Sequence, residues 1–456
     1  MLWILKLLYW LSKTWKFLLG KPHSQIHGKA KFMEGLEKAI YLNRKNRGIY
    51  LSRRYRLSMD ESFKNLCIVS PTGGGKTTRY VIPNILKCNG SVVVTDPSGE
   101  IYEKTCGAMK QRGYKIQVLQ PADLSRSLFF NPLSHANTHQ ELKQLATVLG
   151  SLNSNDNALF WQTSAINLIY ICLAAFKNIK TAHMGNVRRL LSRLGTNDKK
   201  LKTFMVDHLD DRTFDEFKAF MAQEHKVLSS ILATARVALD LWSDPDIVRF
   251  SSFNTIDISM LRKEKTIVYV IVPEHQLRYF AIIVNLFYTA CFKYCIDHKS
   301  GNEVFFFLDE FGNLPAIPDF ATIATTLRKK RCSISVILQE LSQLDAVYGR
   351  DEARSIYAGG MGSKLFFAGL DYSTCQYLEN MLGGETQYDV IGADGRVRHD
   401  EKARTHRVPI MRADEIRMLK KNEAILISGA RKPMKLSMEP YFTNRRLNRL
   451  TEIKCS

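Results

Sequence analysis

The sequence predicts an α/β fold in which a central, mostly parallel β-sheet carries an inserted all-helical domain. Its first sign is a series of short apolar runs, rich in β-branched and aromatic residues and separated by segments of helix length. Such runs are typical of parallel strands that are covered on both faces. Its second sign is the stretch 137–255, where apolar residues recur at helical spacing and no convincing strand occurs. The predicted strands are residues 66–69, 91–95, 115–119, 266–272, 304–308, 333–338, 364–368 and 424–428.

The same patterns divide the chain into an N-terminal apolar segment, a discontinuous sheet-bearing domain and the helical insertion. These parts are residues 1–22, residues 23–136 with 256–456, and residues 137–255. Within the sheet-bearing domain, residues 383–400 carry Asp394-Gly395 between alternating residues. This pattern predicts a β-hairpin.

The composition is that of a globular protein and favours an anionic partner. With 456 residues, 45% of them hydrophobic and 24% charged, the chain is neither mostly disordered nor fibrous. Lysine and arginine outnumber aspartate and glutamate by 65 to 44, a formal charge of +21, which favours nucleic acid, nucleotide or an acidic membrane surface. Residues 1–60 hold 13 basic against 3 acidic side chains, and residues 400–456 hold 14 against 7. At either end, a polyanion contact and an ordinary solvated surface remain alternatives.

The first twenty residues are apolar but interrupted by lysines. A membrane span is disfavoured, because Lys6, Lys13 and Lys16 lie inside the segment and a span needs about 20 residues with few charges. Tryptophans and leucines recur there at helical spacing. This favours a helix that lies in the membrane interface, with a soluble packing helix as the alternative.

Two other apolar stretches, residues 158–176 and 279–292, predict buried core helices. The first contains Gln162 and Asn167, and the second is short and contains Asn285. Neither has the uninterrupted apolar length of a span.

The nine cysteines are scattered along the chain. No pair has the spacing of a zinc site, and no disulfide framework can be read from them. Their odd number fits a reducing cytosol.

A glycine-rich segment between the first predicted strand and a helical run is the strongest local signal for chemistry. It reads Ser70-Pro71-Thr72-Gly73-Gly74-Gly75-Lys76-Thr77-Thr78. Consecutive glycines let backbone N–H groups point at a phosphate, because they tolerate unusual φ/ψ and bring no Cβ into its space. Lys76 would reach the β- and γ-phosphates, and the Thr77 hydroxyl would hold Mg²⁺. A strict phosphate loop has glycine at the position of Ser70, but residues 72–78 still predict a site for ATP with Mg²⁺.

Two carboxylates follow the predicted strand 304–308, where a buried strand emerges at the edge of the sheet. Asp309 would hold Mg²⁺, and Glu310 would polarise the attacking water. Apolar strands often end in acidic residues, so this pattern gains its weight from the phosphate loop that precedes it. Hydrolysis, beyond binding, depends mainly on Glu310.

Other polar residues near strand ends allow more than one interpretation. Gln339 follows strand 333–338 and either senses the γ-phosphate or is an ordinary polar strand end. Arg328 and Arg331 belong to a short basic cluster that either reaches a neighbouring subunit's nucleotide or faces solvent. Asp96 is either close to the metal or a cap of the following helix.

Four segments, taken in order, resemble the TraG/TraD-type coupling ATPases of type IV secretion and conjugation. They read SPTGGGKTTRYVIPNIL, SVVVTDPSGE, FFLDEFGNLPAIPDF and ILQELSQLDAVYG. By this resemblance, Lys76 and Thr77 belong to the phosphate loop, Asp309 and Glu310 are the Walker B acids, and Gln339 is the glutamine at a strand end. Arg328, with Arg331 as the alternative, is our choice for the family's arginine that acts on a neighbouring subunit.

The resemblance implies a RecA-like P-loop NTPase that assembles as a hexamer at the cytoplasmic face of the bacterial inner membrane. It implies ATP hydrolysis that delivers a relaxase-bound single DNA strand, or an effector protein, to a type IV secretion channel. Family members usually begin with transmembrane helices, whereas here residues 1–22 predict peripheral membrane contact. The alternatives are a double-stranded DNA translocase of the FtsK/HerA kind and a nucleotide-gated docking platform without motor activity.

Overall fold

A computed structural model of the chain describes residues 30–150, 159–196, 199–388 and 405–455. All eight predicted strands are present, each within one residue of its expected bounds, and three further strands join them. The strands are β1 Leu66–Val69, β2 Ser91–Asp96, β3 Lys115–Leu119, β4 Thr266–Ile271, β5 Val304–Leu308, β6 Cys332–Leu338, β7 Ser363–Phe367, β8 Gly384–Tyr388, β9 Thr405–Pro409, β10 Glu423–Ser428 and β11 Met434–Ser437.

One sheet of 9 strands organises the molecule, in the order β11-β10-β7-β1-β6-β5-β2-β4-β3. All strands from β7 to β3 in this order run parallel to their neighbours, and β10 and β11 pair antiparallel at one edge. The predicted α/β fold with a mostly parallel sheet is therefore confirmed. Because Val69 pairs with Leu338 and Leu308 pairs with Val336, the carboxyl ends of β1, β5 and β6 lie together on the same edge.

Side chains of the sheet alternate between two apolar layers. In β1, Leu66 and Ile68 belong to one core cluster, and Cys67 and Val69 belong to the other. This is the period-two alternation of a strand. Both faces are covered, which is why the strands read as continuous apolar runs in the sequence.

Helices cover both layers. Between β3 and β4 the described residues contain helices and no strand, and Leu142, Ile231 and Leu239 from this region join the core cluster that contains Val69. The division into a separate domain at 137–255 stays a prediction. The helices are Gly35–Tyr41, Met59–Ser62, Ile82–Lys87, Glu100–Gln111, His139–Gly150, Leu159–Ala174, Met184–Arg193, Lys199–His208, Asp211–Met221, His225–Ala238, Pro245–Phe250, Met260–Lys263, Leu277–Asp297, Phe320–Lys329, Ser342–Tyr348, Arg350–Arg354, Tyr372–Leu382, Ala413–Arg417 and Arg445–Thr451.

The long helix Leu277–Asp297 packs on the sheet. Phe292 meets Phe306 of β5 with ring centroids 4.9 Å apart, and the Asn285 amide donates to the Pro315 carbonyl at 2.8 Å. Among the described residues this is the one helix long and apolar enough to cross a membrane, and 67% of its apolar window is buried inside the protein. Its place over the sheet is that of the core helix predicted from the sequence.

The hairpin, the N-terminal segment and the cysteines differ from, or lie beyond, what the sequence indicates. An antiparallel two-stranded ribbon does begin near residue 383, where β8 pairs with β9; Asp394-Gly395, the predicted turn, falls between these strands in sequence and lies outside the described residues. Residues 1–22 also lie outside them. Cys106 and Cys455 form a disulfide that joins the helix Glu100–Gln111 to the C-terminus. Their separation of 349 residues explains why spacing did not predict this pair.

Candidate functional site

The glycine-rich segment forms a tight loop between β1 and the next helix. The loop starts where the Ser70 N–H donates to the Leu338 carbonyl at 3.0 Å, and it turns where the Gly74 N–H donates to the Pro71 carbonyl at 2.9 Å. Gly75 has a φ of +83°, a left-handed conformation that favours glycine. The loop therefore leaves the carboxyl edge of the sheet and turns back into the helix.

The loop has the shape and the free donors of a phosphate cradle. A Cβ on Gly74 would lie 2.4 Å from Ser70 Oγ, so a side chain there would fill the loop. Within the described part of the chain, the N–H groups of Gly73, Gly75 and Lys76 have no acceptor. Unpaired N–H groups in such a concavity bind anions. The residues present fit a phosphate group.

The helix after the loop begins with one π-helical turn, Thr77–Val81, and continues as Ile82–Lys87. The Thr78 hydroxyl donates back to the Gly75 carbonyl at 3.3 Å. No hydrogen bond of the Thr77 hydroxyl is formed within the described residues, so this group is free to serve as a Mg²⁺ ligand.

The structure brings the loop lysine and the two strand-end acids together. Lys76 Nζ lies 3.3 Å from Asp309 Oδ1 and forms a short ion pair with Glu310 Oε1. Both carboxylates are buried, with residue exposures of 2% and 6%. Two motifs separated by 234 residues therefore form one charged site at the carboxyl edge of the sheet.

Burial and charge act in opposite directions on these groups. Burial raises the pKa of Asp309, and the Glu310 charge adds to this, while the Lys76 ammonium lowers it; the result is a pKa of about 6. Burial alone would lower the pKa of Lys76, but the two carboxylates outweigh it and raise that pKa overall. The lysine is thus charged and serves as the counterion of both acids.

Glu310 is held by amide donors as well as by the lysine. Its Oε2 accepts from Asn313 Nδ2 at 2.9 Å and from Gln339 Nε2 at 3.1 Å. Gln339 was selected from the sequence and lies in the site, whereas Asn313 was missed. Its position three residues after Glu310 could have pointed to a contact with that carboxylate, since Glu310 directly precedes one 3₁₀ turn, Phe311–Asn313, and Asn313 ends it.

The two candidate arginines do not join this site within one chain. Arg328 is exposed near the end of the helix that leads into the start of β6, about 20 Å of strand away from the Leu338 end. Arg331 forms an ion pair with Glu303. Asp96 is buried and accepts from the Tyr102 N–H at 2.8 Å, which is the arrangement expected of a helix cap.

Arg79 is a second residue that sequence reasoning missed. It is 6% exposed and lies on the first turn after the loop. Its Nη1 donates to the Gly74 carbonyl at 2.8 Å and also to the Lys421 carbonyl. The phosphate loop is thereby joined to the segment that leads into β10.

A cleft of about 700 Å³ lies between the two basic ends of the chain. We call it the cationic cleft. It is lined by the basic side chains of Lys38, Arg53, Arg54, Lys420 and Lys435. Two carboxylates, Glu423 and Glu439, also line it. Residues that looked unrelated in the sequence, near positions 50 and 430, thus form one basic surface.

Comparison with known sequences gives a family and several relatives. The profile of the family described as "Type IV secretory system Conjugative DNA transfer" matches residues 29–454. Protein VirD4 of Rhizobium radiobacter is 26% identical over 400 residues, which cover 84% of this chain and 58% of VirD4. Conjugal transfer protein TraG of Agrobacterium fabrum is 22% identical over 470 residues, which cover 91% of this chain and 70% of TraG. The chain thus spans little more than half the length of VirD4.

Solved structures share the fold. The bacterial conjugative coupling protein TrwBdeltaN70, in complex with sulphate, matches with a TM-score of 0.74 at 19% identity, over 92% of this chain and 96% of its own. The plasmid coupling protein TrwB in complex with ADP and Mg²⁺ matches equally well, with a TM-score of 0.74 at 19% identity, over 92% of this chain and 96% of its own. The RecA-like P-loop NTPase fold expected from the resemblance is confirmed. Because the family profile covers nearly the whole chain, this protein belongs to the type IV secretory system conjugative DNA transfer family.

Proposed function

We propose that this protein is an ATP-hydrolysing coupling protein that recruits a relaxase–DNA complex, or an effector protein, and drives its transfer through a type IV secretion channel. The observation that carries the proposal is the contact of Lys76 with both Asp309 and Glu310. A phosphate loop, a metal-binding acid and a base within one contact distance are the parts that nucleotide hydrolysis requires.

Each residue of the site has a distinct role in this proposal. Thr77 and Asp309 would hold Mg²⁺, which neutralises charge on the phosphate oxygens. The free N–H groups around Gly75 bind the phosphates. Glu310 orients and deprotonates the attacking water, a contribution worth about 10²–10⁴ in rate, and Gln339 reports the presence of the γ-phosphate.

Lys76 has a different partner before and after nucleotide binding. The β- and γ-phosphate oxygens would offer it acceptors beside the loop, so we expect the lysine to move toward the phosphates. Its departure leaves Glu310 Oε1 free to bind water, while the amides of Asn313 and Gln339 keep holding Oε2. In this proposal, nucleotide binding therefore makes Glu310 available as the general base.

The test of the proposed function is an ATPase assay of the purified protein with and without single-stranded DNA, together with its mass in solution. We expect stimulation by DNA and a hexamer. Lys76→Ala should abolish ATP binding. Stimulation by duplex DNA alone would indicate a translocase of the FtsK/HerA kind, and normal ATP binding without stimulation by nucleic acid would indicate a docking platform.

Nucleic acid would contact the cationic cleft through its phosphates, without base readout. Arg53 and Arg54 line it and are exposed, and within the described residues their side chains form no ion pair with a carboxylate. Reversing both charges to glutamate should weaken binding of single-stranded DNA and flatten its salt dependence. Reversing Lys199 and Lys202, an exposed pair on the helix Lys199–His208, is the matched control. Equal effects of the two double variants would exclude the cleft as the DNA contact.

We further expect residues 1–22, which lie outside the described residues, to hold the protein at the inner membrane by peripheral contact. Their pattern of tryptophan, leucine and lysine suits a helix at the interface. Sedimentation of the full chain with anionic vesicles tests this. Failure to sediment at low salt would contradict peripheral attachment.

A further inference from the structure

We propose that Arg79 is a positioning residue that aims the phosphate loop at the nucleotide. This inference rests on the proposed function, since it names a residue that prepares the same site. Within the described residues no hydrogen bond or ion pair joins Arg79 to Asp309 or Glu310; its side chain donates to the Gly74 carbonyl and its backbone N–H to the Gly75 carbonyl. Its role is therefore to orient other groups and not to touch the reacting atoms.

Arg79 holds the loop through two hydrogen bonds, one from its backbone and one from its side chain. Its backbone N–H donates to the Gly75 carbonyl at 2.8 Å, and its guanidinium Nη1 donates to the Gly74 carbonyl at 2.8 Å. A Cβ on Gly75 would lie 3.1 Å from Arg79 Nε, so the glycine also makes room for the guanidinium. The arginine and the glycine thus fit each other closely.

Because the peptide bond is planar, the hydrogen bond to the Gly74 carbonyl also sets the direction of the Gly75 N–H. In a trans peptide, the carbonyl of one residue and the N–H of the next point in opposite directions. Holding the Gly74 carbonyl against Arg79 therefore directs the Gly75 N–H to the other side of the loop. That N–H has no acceptor within the described part of the chain, which leaves it available for a phosphate oxygen.

The same guanidinium fixes the loop relative to a distant part of the chain. It donates to the carbonyl of Lys421, which lies 342 residues away in sequence, two residues before β10 starts. Gly74 and the sheet-edge segment are therefore joined through one side chain. Without it, nothing else described in the structure would bond both carbonyls.

Burying the guanidinium of Arg79 is energetically unfavourable. The residue is 6% exposed, and its Nε is buried without an acceptor within the described residues. Burial lowers the pKa of Arg79, because removing a guanidinium from water disfavours its charged form. Buried charges that lack full compensation add little to stability. A role in holding the loop explains why the guanidinium is placed there.

The experiment compares two arginines that each bond main-chain carbonyls around one helix. Arg79 lies at the start of the segment Thr77–Lys87, and Arg112 bonds the carbonyls of Leu86 and Cys88 at its other end. We would make Arg79→Gln and Arg112→Gln in the full chain and measure thermal midpoint without nucleotide and affinity for Mg-ATP by calorimetry. Both variants should lower the midpoint, but only Arg79→Gln should weaken ATP binding, by about 10- to 100-fold, as expected for loss of a charged hydrogen bond.

Two further variants complete the test. Arg79→Lys keeps the charge on a shorter side chain that lacks the planar guanidinium, so its ATP affinity should lie between those of wild type and Arg79→Gln. If Arg79→Gln does not fold, wild-type affinity in Arg79→Lys would overturn the proposal. Equal ATP affinities in Arg79→Gln and Arg112→Gln would also overturn it. Lys76→Ala separates the two proposals, because normal ATP binding in that variant would refute the nucleotide site itself.

Discussion

Replacing Lys76 with methionine should destabilise the nucleotide-free protein, and by more at pH 8 than at pH 5. The substitution keeps most of the apolar stem but removes the charge shared by Asp309 and Glu310. Removing one partner of a buried ion pair costs about 3–5 kcal/mol, because it leaves uncompensated charge in the interior. We expect a loss of this size at pH 8, where Asp309 is ionised.

The pH dependence follows from the pKa of Asp309. That pKa is already raised to about 6, although the Lys76 charge lowers it, so removing the lysine raises it further. A carboxyl whose folded pKa exceeds its unfolded value contributes stability at low pH and loses it as the pH rises through the folded pKa. The variant therefore loses more stability than wild type between pH 5 and pH 8. Each further tenfold weakening of the acid corresponds to about 1.4 kcal/mol, so the cost at pH 5 should be smaller by up to about that amount for each such step.

Denaturant unfolding at the two pH values measures this difference. Lys293→Met is the matched control, because Lys293 also lies between two carboxylates, Glu141 and Asp297, but at the surface. The pKa of Glu141 is lowered, so its titration falls below the pH range compared, and exposed pairs are worth about 1 kcal/mol or less. Equal losses for Lys76→Met at pH 5 and pH 8 would show that the lysine and the acids do not share a buried charge balance.

Three other variants test single contacts of the site. Glu310→Gln should keep ATP affinity within about threefold while lowering the rate of phosphate release by at least about 100-fold; a fully active variant would remove its assignment as the base. Gln339→Ala should leave ATP affinity unchanged and lower turnover and its stimulation by DNA, and unchanged stimulation would show that Gln339 does not sense the γ-phosphate. Asp96→Ala should lower the free energy of unfolding by about 1 kcal/mol through loss of the bond from the Tyr102 N–H. A loss of Mg-ATP binding in that variant would instead place Asp96 near the metal.

Much of the sheet and half of the site could be predicted because they depend on local sequence. A parallel strand covered on both faces must be apolar along its whole length, so β1 and β5 can be read directly. Functional side chains follow the carboxyl ends of such strands, which pointed to Lys76, Asp309 and Gln339. Their meeting in space required only that β1, β5 and β6 be neighbours, as the observed order has them.

The missed features depend on contacts between parts of the chain that are distant in sequence. Arg79 looks like any basic residue on a helix until the Lys421 carbonyl is placed beside it. Cys106 and Cys455 are paired across 349 residues, and no spacing rule connects them. Each of these errors arose where tertiary placement, and not periodicity, decides the structure.

The backbone conformation of Glu310 is unusual and is held by contacts of its side chain. Its φ of +55° is unfavourable for a residue with a side chain and persists only where neighbouring contacts hold it. Here Lys76 holds one carboxylate oxygen, and Asn313 and Gln339 hold the other. A phosphate that draws Lys76 away removes one restraint and leaves the two amides in place. Under the proposed function, Glu310 would then present a free oxygen while the amides of Asn313 and Gln339 hold the other in position.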